Sequence, residues 1–435
     1  MVNLVGLVEV LIEKTAAILS YILESIWASA LKIWIFYFTQ LRRLPLLFRF
    51  LDYSATLANT IYFVFLKWVG NGVVVLKNFF VGQHYVKSKY HWSTTNAHVP
   101  FIDWKYDPGT SEMWKVLNKD QVLTSFQLAR LAYECPQIRE YHARVQGGFS
   151  KLQEHQIDDL LIYTVKQEDV LYVVFKGTEP YSLDSIFADL NCALGPVKRS
   201  DFTIPGTIHQ AWREIIFGQD IDDESLPKEQ QTHPFGHFTK TAFTTNINIK
   251  NCFWNWFEKT HKNDIGKFKI VVSGHSMGGA LSLIFAAALH NKYPSLVTSD
   301  ALHVYAFAPP RVGDEIFSLW AHKALFGIMY KFCFQNEFAT RVPIMTREKP
   351  FDFAEAPGSL VFAAEGKDPE LKETSVLKLD KIPDIDFLMP HNLLNPYSWH
   401  LYTDESLLRR LERWILPFYI QDHAPSDMFY ALSEC

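Results

Sequence analysis

The chain has 435 residues, 48% of them hydrophobic and 15% aromatic with 34 Phe, and a net charge of −5. That length holds one large domain plus an extra segment, or two ordinary domains, and so apolar a chain has apolar surface left over for a lipid or a partner. Residues 1–90 carry nine Lys/Arg against four Asp/Glu, leaving the rest near −10; this asymmetry suits a membrane or anionic lipid surface, and with no Lys/Arg-rich block nucleic acid is excluded as a partner.

Residues 1–82 are apolar and basic, but charges interrupt every stretch: Glu9, Glu13 and Lys14, then Glu24 and Lys32, then Lys67 and Lys77. A spanning helix wants roughly 20 nearly uncharged apolar residues. The pattern instead predicts helices lying in a membrane or droplet interface, or a hairpin dipping into one leaflet, with Leu41-Arg42-Arg43-Leu44-Pro45 as the basic turn. The alternatives are helices packed on the body of the protein, or a true spanning segment. A secretory signal fits poorly, because there is no basic start and no small-residue cleavage site. Residues 83–127 read as a linking segment and 128–435 as the main domain. The five cysteines, Cys135, Cys192, Cys252, Cys333 and Cys435, form no C-x-x-C pair. Neither a disulfide framework, a metal nor a cofactor is expected, and a cytosol-facing location follows.

From about Tyr106 helices and strands alternate. Residues 160–164 and 170–175 are short β-rich runs joined by a polar turn. Residues 181–190 place Leu183, Ile186, Phe187 and Leu190 on one apolar helical face. That helix is a candidate lid, within about 179–192, or else a core-packed element. A polar, acidic excursion follows at 218–245. Residues 268–273 form a β-branched strand, 280–290 an alanine- and leucine-rich helix, and 303–308 and 329–334 further strands. A long proline-marked loop at 345–399 has room for a strand near 360–362, and 407–415 predicts an amphipathic helix. This alternation implies an α/β fold with a mostly parallel, doubly wound sheet.

The strand at 268–273 runs into Gly274-His275-Ser276-Met277-Gly278-Gly279 and then into a helix. A serine held in so abrupt a strand-to-helix turn exposes its oxygen above the sheet edge. Gly274 and Gly278, two residues to either side, are required because larger side chains would collide in the turn. Ser276 is therefore the candidate nucleophile, and the helix start supplies amides and a positive dipole end for an oxyanion. One oxyanion donor is expected from the Met277 N–H. The second is expected from the N–H of Thr178, in the glycine turn Lys176-Gly177-Thr178 that ends an earlier strand. His275 points away from the serine and is not expected to be its base.

Three segments together carry a family resemblance: Phe175-Lys176-Gly177-Thr178-Glu179-Pro180 through Asp189-Leu190, Gly274 to Leu281, and Ala308-Pro309-Pro310-Arg311-Val312-Gly313-Asp314. In this order they resemble the class 3 lipases, most of all the plant oil-body triacylglycerol lipases, from roughly Leu128 to the C-terminus. The resemblance implies an α/β-hydrolase fold and a Ser-acid-His triad in that chain order. It puts the acid in Asn336-Glu337-Phe338-Ala339-Thr340-Arg341-Val342-Pro343, with Glu337 at a position the family fills with Asp; Asp314 is the runner-up. It puts the base at His423, in Gln421-Asp422-His423-Ala424-Pro425, ahead of His400 and His391. It implies long-chain acylglycerol substrates, triacylglycerol favoured, at a lipid droplet or at an ER membrane facing the cytosol. A phospholipase, a diacylglycerol lipase, and a lipid-droplet interaction protein without turnover remain the competing readings.

Overall fold

The computed structural model describes residues 114, 116–157, 160–178, 194–218, 252–334, 339–341, 353–354, 356–364, 367–372, 423, 428 and 432. The apolar region 1–82, the lid face Leu183, Ile186, Phe187 and Leu190, Glu337, His391, His400, and the helix expected at 407–415 lie outside the described residues. Among the described residues no helix is long and apolar enough to cross a membrane.

Ten strands are described: β1 (Gln153–Ile157), β2 (Leu160–Gln167), β3 (Val170–Phe175), β4 (Leu194–Lys198), β5 (Thr203–His209), β6 (Lys269–His275), β7 (Leu302–Phe307), β8 (Met329–Phe334), β9 (Ser359–Ala364) and β10 (Lys367–Lys372). Eight build one sheet in the order β1-β2-β3-β6-β7-β8-β9-β10, and β4 and β5 form a separate hairpin. Strands β3, β6, β7, β8 and β9 run parallel, while β1, β2 and β10 close the two ends antiparallel. The sheet is thus mostly parallel and helix-covered, as an α/β-hydrolase requires. Parallel strands covered on both faces must be apolar on both, which is why the central runs read as unbroken β-branched stretches.

Side chains alternate between two cores. On β3, Leu171, Val173 and Phe175 enter the core under α3 (Gln210–Phe217), α4 (Phe253–His261) and α5 (Met277–Lys292). Tyr172 and Val174 enter the opposite core, with Tyr305 and Phe307 of β7 and with Met428 and Leu432 near the C-terminus. That second core is covered by a helix the sequence pattern did not suggest, α1 (Lys119–Leu131), which the short α2 (Pro136–Tyr141) follows.

Helix α1 begins at Asn118, whose side chain accepts from the Gln121 N–H at 3.0 Å, and Asp120 sits in its first turn where the helix dipole favours a carboxylate. It is tied to the sheet by three bonds: Tyr163 Oη donates to Leu128 O (2.5 Å), Tyr305 Oη to Gln121 Oε1 (2.8 Å), and Ser273 Oγ to Ser125 O (3.3 Å). Trp114, Leu117, Val122, Leu123 and Phe126 are buried in the same core. The helix therefore crosses the expected boundary at residue 128, and part of the supposed linker 83–127 is core wall.

Helix α5 is the central one. Every residue from Met277 to Leu289 is buried, so it has no polar face, as expected of a helix enclosed on all sides. The short α6 (Ser295–Thr298) and then α7 (Glu315–Ala324) follow. Asp314 caps α7: its carboxylate accepts from Phe317 N (2.8 Å), Thr207 N (2.9 Å) and Thr207 Oγ1 (2.7 Å). The runner-up acid thus joins α7 to β5.

Candidate active site

The register of the parallel strands brings three chain ends to one level. Phe175 pairs with Gly274, and His275 with Phe307. The loop after β3 and the turn after β6 therefore meet at the C-terminal edge of the sheet, where ligands sit in open α/β sheets.

Ser276 stands in that turn with φ 59° and ψ −129°, a left-handed backbone that a non-glycine residue adopts only when its surroundings impose it. The constraint is visible. Ser276 N donates to Phe307 O at 2.8 Å, and its own carbonyl accepts from Gly279 N at 2.8 Å, starting α5. A Cβ on Gly274 would collide with the Gly278 backbone and lie 2.9 Å from Gly279 N. A Cβ on Gly278 would collide with Phe175 O and lie 2.8 Å from the Phe175 carbonyl carbon. Both positions need glycine, for the reason the spacing suggested: the helix start and the two strand ends touch through backbone atoms.

His423 lies against the serine, with Nε2 2.9 Å from Ser276 Oγ. The two are 147 residues apart in sequence. A hydroxyl that donates to an imidazole at this distance can lose its proton to it as it attacks a carbonyl carbon. Ser276 and His423 are both half-buried.

The loop Lys176–Gly177–Thr178 packs beside the elbow. A Cβ on Gly177 would collide with Tyr133 Oη and His275 O and lie 3.1 Å from the Ser276 Cβ. Thr178, the next residue, is half-buried, and Met277 is fully buried at the helix start. Met277 opens helix α5, where the first N–H groups of a helix have no partner within it. Strand β8 ends at Phe334, three residues before Glu337.

His275 has a role the sequence did not suggest. It is buried, and its Nδ1 lies 2.9 Å from Tyr133 Oη and its Nε2 3.1 Å from His423 O. Its ring sits 4.7 Å from that of His423, and Tyr133 approaches it edge-on at 5.9 Å. Burial holds its pKa well below the usual histidine value, and the neighbouring His423 and Arg130 push the same way. No local pattern could have revealed Tyr133, which is 142 residues from its partner. Among the described residues, no group of three or more His, Cys, Asp or Glu is arranged to hold a metal ion.

Residues 172–347 match the model of the family described as lipase (class 3). The chain is similar to the triacylglycerol lipase OBL1 of Ricinus communis, 26% identical over 211 residues, covering 43% of this chain and 38% of that relative. It is also similar to the triacylglycerol lipase OBL1 of Arabidopsis thaliana, 24% identical over 213 residues, covering 44% of this chain and 38% of the relative. The match therefore spans well under half the length of these curated relatives. Among solved structures, the Lip2 lipase of Yarrowia lipolytica aligns with a TM-score of 0.40 at 16% identity, over 57% of this chain and 79% of that one. Through the segment that holds the loop after β3, the elbow and the strands that follow, residues 172–347 thus resemble the class 3 lipase family.

Proposed function

We propose that the chain is a serine lipase that hydrolyses ester bonds of long-chain acylglycerols, triacylglycerol foremost, at a lipid surface. The observation that carries this reading is the 2.9 Å contact between Ser276 Oγ and His423 Nε2 at the end of a glycine-bounded elbow. Ser276 Oγ attacks the ester carbonyl carbon while its proton passes to His423 Nε2. The carbonyl π electrons move onto oxygen, and the oxyanion accepts from the Met277 and Thr178 amides. Collapse breaks the bond to the glyceryl oxygen, which leaves as the alcohol with the proton from His423. Water then attacks the acyl-serine with His423 again as base, freeing the fatty acid and restoring the serine. Glu337, following β8, is the proposed carboxylate partner of His423, and its role is to fix the tautomer with Nδ1–H and to stabilise the imidazolium.

The setting proposed is a lipid droplet or an ER membrane facing the cytosol. The apolar, basic region 1–82 would hold the protein there, and 183–190 would cover the serine in water and open at oil. A fluorophosphonate probe tests the chemistry, since only an activated serine reacts readily. Wild type should be labelled and release fatty acid from emulsified triacylglycerol, and Ser276→Ala should do neither while staying folded. Fatty acid released faster from phospholipid than from triacylglycerol would replace the substrate class. An unlabelled wild type would leave the lipid-droplet interaction protein as the better reading.

A further inference from the structure

We infer that Tyr133 and His275 are positioning residues that pin the base loop through its backbone, holding the His423 imidazole on Ser276. The inference rests on the reading of Ser276 and His423 as nucleophile and base, and extends it to two residues that touch no substrate.

Proton bookkeeping fixes the direction of each bond. The His423 carbonyl can only accept, so the His275 atom facing it at 3.1 Å, Nε2, must carry the hydrogen. A neutral imidazole has a single N–H, so Nδ1 is the acceptor. Tyr133 Oη, 2.9 Å away, therefore donates to it. The result is one directed chain: Tyr133 O–H to Nδ1, then Nε2–H to the carbonyl of His423. Burial of His275 keeps the ring neutral and so keeps the chain in this sense. Both ring nitrogens are spent, which leaves His275 nothing to offer a substrate.

The geometry explains why the base needs this. His423 lies far along the chain from the elbow, in no strand of the sheet, and its imidazole must stay within hydrogen-bond reach of one hydroxyl. A bond to its own carbonyl restrains the backbone from which that ring hangs. Tyr133 Oη also fills the space beside Gly177 that a Cβ would need. One phenol therefore abuts the oxyanion loop while steering the histidine that restrains the base.

Two substitutions at one site separate positioning from packing. In His275→Gln the amide nitrogen stands where Nε2 stands and still donates to the carbonyl, but the contact to Tyr133 is lost. In His275→Asn the shorter side chain keeps an acceptor for Tyr133 and loses the donor to His423. Hydrolysis of p-nitrophenyl butyrate by the full chain should fall about tenfold or more in kcat for His275→Asn, with KM within about twofold. His275→Gln, which keeps the donor and loses the Tyr133 contact, should fall only about three- to tenfold, like Tyr133→Phe. Tyr133→Phe, which removes one oxygen and keeps the ring, should lower kcat about three- to tenfold, because His275 is then free to turn its N–H away from the carbonyl. Equal kcat in wild type and Tyr133→Phe, or a folded His275→Asn no slower than His275→Gln, would overturn the inference while leaving the hydrolase reading intact. A wild type that neither turns over nor takes the fluorophosphonate would overturn both.

Discussion

Replacing Gly278 with alanine puts the elbow under the most direct test the structure offers. The new Cβ would lie 2.8 Å from the Phe175 carbonyl carbon and 2.9 Å from that of Lys176, against the 3.4 Å at which ordinary contact begins, and Phe175 O is nearer still. The end of β3 must retreat by at least 0.6 Å, the difference between 3.4 and 2.8 Å. All the atoms met are backbone, so no side chain can swing aside, and overpacking of this kind costs about 3 kcal/mol, the upper end of its usual range. For a domain of about 300 residues that lowers the unfolding midpoint by about 5 °C. The retreat also carries Thr178, three residues past the end of β3, away from the serine; misplacing this proposed oxyanion donor by that much should slow hydrolysis about 100-fold. Gly279→Ala is the control. Its Cβ meets Phe307 O at 3.1 Å and Gly274 O and Pro309 Cβ at 3.2 Å, so the neighbours need give only a few tenths of an ångström. The gain in helix propensity, about 1 kcal/mol, offsets most of that. Thermal melts with p-nitrophenyl butyrate rates on both variants decide the matter. A Gly278→Ala protein with wild-type midpoint and rate, or a Gly279→Ala protein equally damaged, would show that the close approach of β3 and α5 is not what shapes the site.

Three further expectations concern strain, capping and pH. Ser276→Gly removes the positive-φ penalty at a residue held at φ 59°, so the variant should be inert yet about 1 kcal/mol more stable, read as a higher melting midpoint. Asp314→Ala strips three hydrogen bonds at 2.7–2.9 Å; loss of the cap and of two Thr207 partners should destabilise by about 2–4 kcal/mol in denaturant titration, with the pH dependence of hydrolysis unmoved. Burial, with Lys331 nearby, pushes the pKa of His322 down to about 4, while the unfolded chain keeps a value near 6.5. The unfolded state therefore binds more protons between these pH values, and stability is complete above about 6.5 and drains as pH falls toward 4, by up to about 3 kcal/mol from this group. Burial lowers His261, His290 and His303 in the same direction, and His322→Gln should flatten the measured slope only in part.

The parts legible in the sequence were those whose chemistry is local. Val170–Phe175 and Met329–Phe334 stand out as strands because both faces of each are buried, and the structure has them with those ends. The elbow was legible because two glycines and a serine must stand at fixed spacing in any such turn. Helix α1 escaped because Lys119, Ser125 and Gln127 are buried along with its apolar residues, which blurs the 3.6-residue pattern. Strand β1 is a polar edge with only Ile157 buried, and β4 contains Gly195 and Pro196, residues that argue against a strand. Tyr133 was illegible for a different reason: its importance lies wholly in a contact made across the fold.

The enclosure of α5 bears on how the elbow survives thermal motion. A helix with no wet side cannot detach alone, because lifting it would flood apolar walls above and below it at once. Local openings are therefore expected in the hairpin β4–β5 and at the outer strands well before they reach the helix that begins at the serine. The strained backbone at Ser276 is, in this sense, bolted to a helix that cannot open alone, which holds the direction of the serine oxygen.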